Sequence, residues 1–243
     1  MAETFAKEIT VLEPECDVNK KMSVSNIMRH AQQMGSDHIC KKGINYNRMY
    51  KDGMAFVVSK MLITIARRPT FGERLLLTTI PKQPKGVQFV RDTIFETLEG
   101  EKLVEVSISW VLVDPTTHRI LRPNAFEIYG FDMFPNDGES IISYKIKKPE
   151  QSGILHMRQV KYSDIDYNRH VNNAIYADIV CDLVPQETML YKEPESFGII
   201  YHKEAVLNQI IELEVTPSWS GLSFYVGGLV AGNRCFEAEI RFR

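Results

Sequence analysis

A chain of 243 residues that is 44% hydrophobic and 25% charged can bury a sizeable core, which excludes both a disordered chain and a small disulfide-stapled scaffold. A net charge of -2 gives no general basic field for nucleic acid, and no stretch approaches the roughly 18 apolar residues of a membrane span. The cysteines, Cys16, Cys40, Cys181 and Cys235, form no C-x-x-C pair and have no His or Cys neighbours at zinc spacing. No metal site and no cofactor is therefore expected, and four free thiols suit a reducing compartment. The opening residues MAETFAKEIT are charged and lack an apolar run, so no signal or transit peptide is read there and a cytoplasmic location is expected.

In chain order, a strand is expected over Phe5–Leu12. An amphipathic helix follows from about Ser23, with Val24, Ile27, Met28, Ala31 and Met34 at helical spacing and Ser23 or Ser25 as cap. Strands follow over Ala55–Ile65, Arg74–Ile80, Gly86–Thr97 and Lys102–Val113, separated by turns at 68–72, 82–86 and 99–101. Residues 132–153 are polar, hold two prolines and two glycines, and read as a linker. The second half opens with a strand over Ile154–Tyr162 and continues with a helix over about Asn172–Leu183, stopped by Pro185. Strands then follow over Gly198–Val206, Gln209–Thr216, Leu222–Leu229 and Arg234–Phe242.

Both halves thus read strand, helix, four strands, which indicates a duplication. Asp17, Asn19 and Lys21 align with Asp166, Asn168 and His170 at an offset of 149, and Pro69 aligns with Glu204 at an offset of 135. The expected class is α+β, with a half at 1–131, a linker at 132–153 and a half at 154–243. In each half a long helix lies in the curve of a twisted antiparallel sheet, and the two sheets join edge to edge.

The densest polar cluster is Tyr162-Ser-Asp164-Ile-Asp166-Tyr-Asn168-Arg-His170-Val-Asn172-Asn173, between a predicted strand and a predicted helix. An extended backbone would put Asp166, Asn168 and His170 on one side, facing the N–H groups of the helix start. Taken singly, an Asp or Asn in this place is most often a cap or a turn former. Together the three residues suit thioester hydrolysis. A thiolate of pKa about 8.5 leaves without a strong acid. What the reaction needs is an activated water or carboxylate and donors for the oxyanion, the donors being worth about 10²–10³ in rate.

The run D-I-D-Y-N-R-H-V-N-N-A-I-Y, residues 164–176, closely resembles the D-x-D-x-N-x-H-V-N-N-x-x-Y signature of plant and bacterial acyl-acyl carrier protein thioesterases. Tyr201-His202-Lys203-Glu204-Ala205 is similar to that family's second element. The resemblance implies a tandem double hot-dog fold and hydrolysis of fatty acyl-acyl carrier protein to free fatty acid. It also implies a site in the second half formed by Asp166, Asn168, His170 and Glu204, with an acyl pocket involving the first half. Ala205 stands where the family has a cysteine, so no thiol can act there. The first half has Lys21 and Pro69 at the His and Glu places, so one active site per chain is expected.

The expected partner is an acidic acyl carrier protein bearing the acyl group, with no nucleic acid and no membrane span, and a homodimer is compatible with the reading. Arg67, Arg68, Lys82, Lys85, Lys145, Lys147 and Lys148 are candidates for docking it, the alternative being ordinary solvated faces. Met28, Met54, Val57 and Met61 are either pocket-lining or core. Hydrolysis of coenzyme A thioesters, and acyl-thioester binding without catalysis, are the rival functions.

Overall fold

The computed structural model describes residues 1–136 and 140–243. The first half contains β1 (Phe5–Thr10), α1 (Val24–Lys41), the short α2 (Tyr46–Lys51), β2 (Ala55–Ile65), β3 (Arg74–Lys85), β4 (Gln88–Thr97) and β5 (Lys102–Val113). The one-turn α3 (Ser140–Ser143) follows. The second half contains β6 (Ile154–Gln159), α4 (Ile175–Leu183), α5 (Gln186–Tyr191), β7 (Pro194–Tyr201), β8 (Ile210–Pro217), β9 (Ser223–Val230) and β10 (Asn233–Phe242).

Among the described residues the ten strands make one antiparallel sheet in the order β1-β3-β4-β5-β2-β7-β10-β9-β8-β6. Read inward from either edge, each half contributes its strands in the same order, and β2 and β7 meet at the seam. Joining there removes one open edge from each half-sheet, where unpaired N–H and C=O groups would otherwise face water. This is the α+β double hot-dog arrangement. The central helices pack on the concave side and against each other, and Arg29 reaches from α1 to Asp178 of α4 at 3.3 Å.

α1 forms because its apolar positions recur at helical spacing. Val24, Ile27, Met28, Ala31, Met34 and Gly35 are all buried, while Ser23 Oγ accepts from the Asn26 N–H at 3.2 Å and caps the first turn. Each fully buried large side chain contributes roughly 1.5–3 kcal/mol. Met28 and Met61 belong to this main core, Met54 to a smaller core around Phe89 and Phe126, and Val57 is exposed.

Several expected boundaries move. β3 continues past Ile80 to Lys85, where Gly86 (φ 62°) makes the turn. β7 occupies Pro194–Tyr201 instead of Gly198–Val206. Beyond Tyr201 the chain leaves the sheet, with the N–H groups of His202 and Lys203 both donating to Cys235 O, and runs toward the site turn. α4 starts at Ile175, three residues after Asn172; the cap position is Ala174, whose N–H donates to Asn172 Oδ1 at 3.0 Å in the turn that leads into the helix. The expected linker includes α3, whose Ile142 carbonyl, with that of Tyr144, accepts from Lys60 Nζ at 2.9 and 3.0 Å; residues 137–139 of that linker lie outside the described residues.

At the seam, Leu62 of β2 pairs with Gly198 of β7. A Cβ at Gly198 would lie 2.0 Å from Tyr144 Oη. Gly198→Ala is therefore expected to cost about 1–3 kcal/mol through overpacking, read as a lower Tm, and Tyr144→Leu in the same chain should recover most of it.

Candidate active site

Asp166, Asn168 and His170 sit in a tight turn, and the extended backbone expected there is not what forms. The Asp166 N–H donates to His170 O at 3.1 Å, Asn168 N donates to Asp166 Oδ1 at 2.8 Å, and Arg169 takes the left-handed conformation at φ 69°. The carboxylate therefore closes its own turn, as Asp readily does. Asp166 and His170 pair across the base of the turn, and Asn168 stands exposed at its tip. The second carboxylate oxygen, Oδ2, accepts from Asn172 Nδ2 at 3.3 Å. Asn172 thus both fixes the turn into α4, through Ala174 N, and holds Asp166, a coupling that the spacing alone did not reveal.

The turn is braced from behind. Asp164, buried, makes a bidentate pair with Arg158 at 2.8 and 2.9 Å and accepts from Lys161 N at 2.7 Å. Burial works against its ionisation, but Arg158 and the Lys161 N–H outweigh it and hold the carboxyl below its usual range. Tyr201 Oη donates to Asn173 O at 2.9 Å and fixes the helix entry. The Asn173 N–H, at that entry, makes no hydrogen bond among the described residues and is available as a donor.

Glu204 comes from the segment after β7. His170 bridges Val206 in antiparallel register, and Val171 N donates to Ala205 O at 2.9 Å. Val171 and Ala205 are both buried, so they occupy the core side. The same register puts Asn172 and Glu204 opposite each other, on the side that His170 and Val206 share. A side chain at 205 would enter the core and not the site. Neither Cys181 nor Cys235 offers a substitute: burial pushes Cys181 up to about 12, and Cys235 is buried beside Tyr176 Oη at 3.4 Å.

The first half repeats this construction bond for bond. Asp17 N donates to Lys21 O at 2.9 Å, Asn19 N to Asp17 Oδ1 at 2.9 Å, Lys20 is left-handed at φ 58°, and Met22 N donates to Pro69 O at 2.8 Å. Lys21 bridges Thr70 as His170 bridges Val206, an offset of 136 for the second segment. The alignment of Pro69 with Glu204 is thereby corrected by one residue: the counterpart of Glu204 is Arg68. Arg68 is buried, pairs with Asp17, and lies 3.5 Å from Glu193, which also holds Lys21 at 2.5 Å. Asn19 Nδ2 is spent on the Leu190 carbonyl of α5 at 3.3 Å, whereas the Asn168 side chain has no such partner among the described residues. One turn is locked into an ion-pair cluster and the other is open. Arg68, being buried and paired, also drops out of the expected docking patch, and Arg67 is clamped by Glu73 at 2.8 and 3.0 Å.

A cavity of about 330 Å³ lies in the first half, beside the open turn. Ile39, Met49, Phe56, Trp110 and Phe126 contribute to its apolar wall, and Tyr167 of the turn closes one side, edge-on to Tyr46 of α2 at 5.3 Å. Gln32 of α1 also lines it and accepts from Asn173 Nδ2 at 3.2 Å, which ties the cavity wall to the entry of α4. Met28, Met54, Val57 and Met61 do not line it. Tyr167 and Tyr46 were not anticipated, since aromatic residues in a turn and a six-residue helix carry no periodic signal.

Acyl-ACP thioesterase models match the chain over both halves, the N-terminal domain over residues 2–127 and the C-terminal domain over 146–242. The chain belongs to the acyl-ACP thioesterase family. An acyl-acyl-carrier-protein hydrolase of Cuphea viscosissima is 24% identical over 233 residues, covering 89% of this chain and 56% of its own. Oleoyl-acyl carrier protein thioesterase 2 of Arabidopsis thaliana is 22% identical, covering 86% and 62%. The chain thus spans about half the length of the curated relatives it matches. The 12:0-ACP thioesterase of Umbellularia californica superposes with a TM-score of 0.86 at 21% identity, covering 99% of this chain and 97% of that one. An acyl-ACP thioesterase of Bacteroides thetaiotaomicron does so at 0.83 and 19%, covering 99% and 98%. These structures share the acyl-ACP thioesterase fold from end to end. No helix among the described residues is long and apolar enough to cross a membrane.

In contact with Arg91, which lines the cavity of this family member, lies a buried His38, held neutral. Burial, and then Arg91 at 3.2 Å, depress it from 6.5 to about 4; Lys42 and Lys41 add to the effect and Glu3 opposes it. The unfolded chain binds this proton near pH 6.5 and the folded chain near 4. The stability contribution is therefore complete above about pH 6.5 and is lost as pH falls toward 4, up to about 3 kcal/mol at 1.36 kcal/mol per unit. Denaturant midpoints across that window should fall for the parent chain and fall distinctly less for His38→Gln.

Proposed function

We propose that this protein hydrolyses the thioester of fatty acyl-acyl carrier protein, releasing free fatty acid and carrier protein. The single observation carrying this reading is the contrast between the two turns. One is sealed by Arg68 and α5; the other, which holds Asp166 and His170, is open, and its Tyr167 lines an apolar cavity. The sequence relatives are named as acyl-carrier-protein hydrolases and thioesterases, which supports the same substrate class.

In the proposed mechanism Asp166 acts as the base on water. Both of its oxygens already accept hydrogen bonds, from Asn168 N and Asn172 Nδ2. Water attacks the acyl carbon, its proton passes to the carboxylate, and the thiolate departs and is reprotonated. The Asn173 N–H and the Asn168 side chain receive the developing oxyanion. His170 relays the proton, and Glu204 orients the water. Single turnover in ¹⁸O water should leave Asp166 unlabelled.

The carrier protein is acidic, and Arg169 and Lys203, exposed and adjacent in sequence to catalytic positions, supply charge for it. The deciding experiment compares acyl chains of equal length on carrier protein and on coenzyme A. A higher kcat/KM with carrier protein, falling as salt is raised, is expected. Equal or better turnover of coenzyme A thioesters would replace this reading with that of an acyl-coenzyme A hydrolase, and binding without acid release would make the protein a non-catalytic acyl-thioester binder.

A further inference from the structure

The cavity is not purely apolar. Arg91 of β4 lines it and is 8% exposed. Its Nη1 contacts His38 Nδ1 at 3.2 Å and Thr79 Oγ1 at 3.3 Å, while Nε and Nη2 make no hydrogen bond among the described residues. Among the described residues no carboxylate pairs with it. Its strand neighbour Asp92 is taken by Lys82 at 2.6 Å and by Ser107 Oγ at 2.6 Å. A buried guanidinium has five donors and normally meets a carboxylate or several acceptors, because leaving it unmatched is costly. Burial alone lowers its pKa, to about 10, so at neutral pH the charge persists.

The surroundings are built around this side chain. Gly35 of α1 lets it lie flat against the helix: a Cβ at Gly35 would sit 3.1 Å from Arg91 Cδ. His38 is itself fixed by Phe5, stacked at 5.7 Å, and by Phe131, edge-on at 5.1 Å. Its neutral ring accepts one guanidinium proton. Two donor nitrogens thus remain on a wall of a cavity otherwise lined mainly by aromatic and aliphatic groups. Gln32, which touches the site through Asn173, precedes Gly35 and His38 on α1. At 1.5 Å per residue these two lie about 5 and 9 Å further along the cavity. The guanidinium therefore faces the body of a bound chain and not its thioester.

We infer that this cavity selects an acyl chain carrying a hydrogen-bond-accepting oxygen (hydroxyl, oxo or carboxylate) several carbons from the thioester, with Arg91 as the residue that recognises it. The inference rests on the cavity being the acyl pocket of the proposed hydrolase. A plain hydrocarbon lying over the guanidinium would desolvate it without compensation. An oxygenated chain would supply the missing acceptor, and charge-assisted hydrogen bonds of this kind discriminate about ten- to hundredfold.

Binding of non-hydrolysable pantetheine amides of the acyl chains, measured by calorimetry, tests this without relying on turnover and leaves no free head carboxylate to pair with Arg91. A saturated acyl amide is compared with hydroxyacyl, oxoacyl and ω-carboxyacyl amides of the same length, on the parent chain and on Arg91→Met. The expected result is binding of at least one oxygenated chain about ten- to hundredfold tighter than the saturated one, with the preference abolished or reversed in Arg91→Met. The inference is overturned if the parent chain binds the saturated amide as tightly as every oxygenated one, or if Arg91→Met keeps the preference. The parent comparison stands alone should Arg91→Met fold poorly, which its Tm reports. Because binding is read directly, failure of hydrolysis would overturn the proposed function and leave this result intact.

Discussion

Asp166→Asn should lower kcat/KM for acyl-carrier-protein hydrolysis by about 10²–10⁴, the usual worth of a positioned acid or base, with little change in Tm. The substitution suits the question because Asn keeps an Oδ1 that can accept from Asn168 N, the bond that closes the turn at 2.8 Å. The left-handed Arg169 and the pairing of Asp166 N with His170 O are then undisturbed. What disappears is the negative charge and its basicity. A rate loss accompanied by an equal loss of folded protein would assign Asp166 a turn-forming role only, and circular dichroism with thermal unfolding separates the two outcomes.

The matching change in the other half, Asp17→Asn, should do the reverse. Asn again satisfies the turn, through the acceptor used by Asn19 N at 2.9 Å. Arg68, however, is 2% exposed and would lose its direct partner, retaining only Glu193 at 3.5 Å. Removing one member of a buried pair leaves the other charge uncompensated and typically costs 3–5 kcal/mol. With Glu193 still near, about 3 kcal/mol is expected here, seen as a lower denaturant midpoint. Turnover per folded molecule should change by less than about threefold, a change below 1 kcal/mol in barrier. Together the two variants separate a pair of turns that are nearly identical in backbone: one carries the reaction in the proposed mechanism, and the other holds the halves together.

The duplication explains how much could be read in advance. β2 and β5 begin and end where their β-branched runs do, at Ala55–Ile65 and Lys102–Val113, because both lie inside the sheet and pattern and environment agree. β7 was displaced because its opening Pro194 reads as a breaker, although a proline at the first residue of a strand forfeits no ladder bond that the strand needs. The short α2 and α5 lacked the length for a helical period, yet they cover the two turns, α5 through Asn19 and α2 through Tyr46 against Tyr167. The candidate site residues stood out as a cluster because polar groups of that density at an element boundary are uncommon. Their geometry was not, since an Asp that accepts its own turn N–H looks the same in sequence as one on an extended strand. The one-residue error at Pro69 has the same origin. Short strings align equally well at offsets of 135 and 136, and only the bridges Lys21–Thr70 and His170–Val206 decide between them.

Arg68, at the position matching Glu204, gives a physical reason to expect the first copy to be silent. Where the second turn has an acid, the first has a cation that neutralises Asp17, and the neighbouring Lys21 is tied to Glu193. Restoring an acid there would bury like charges beside Asp17, so the first turn cannot be revived by a single change.

The central claim is one hydrolytic site per chain, at the second turn. It is tested most directly by following free fatty acid released from acyl carrier protein thioesters by the parent chain, Asp17→Asn and Asp166→Asn side by side. The account predicts release by the first two at nearly the same rate per folded molecule and near-background release by the third. Release by Asp166→Asn at the parental rate, or its abolition by Asp17→Asn in folded protein, would contradict it.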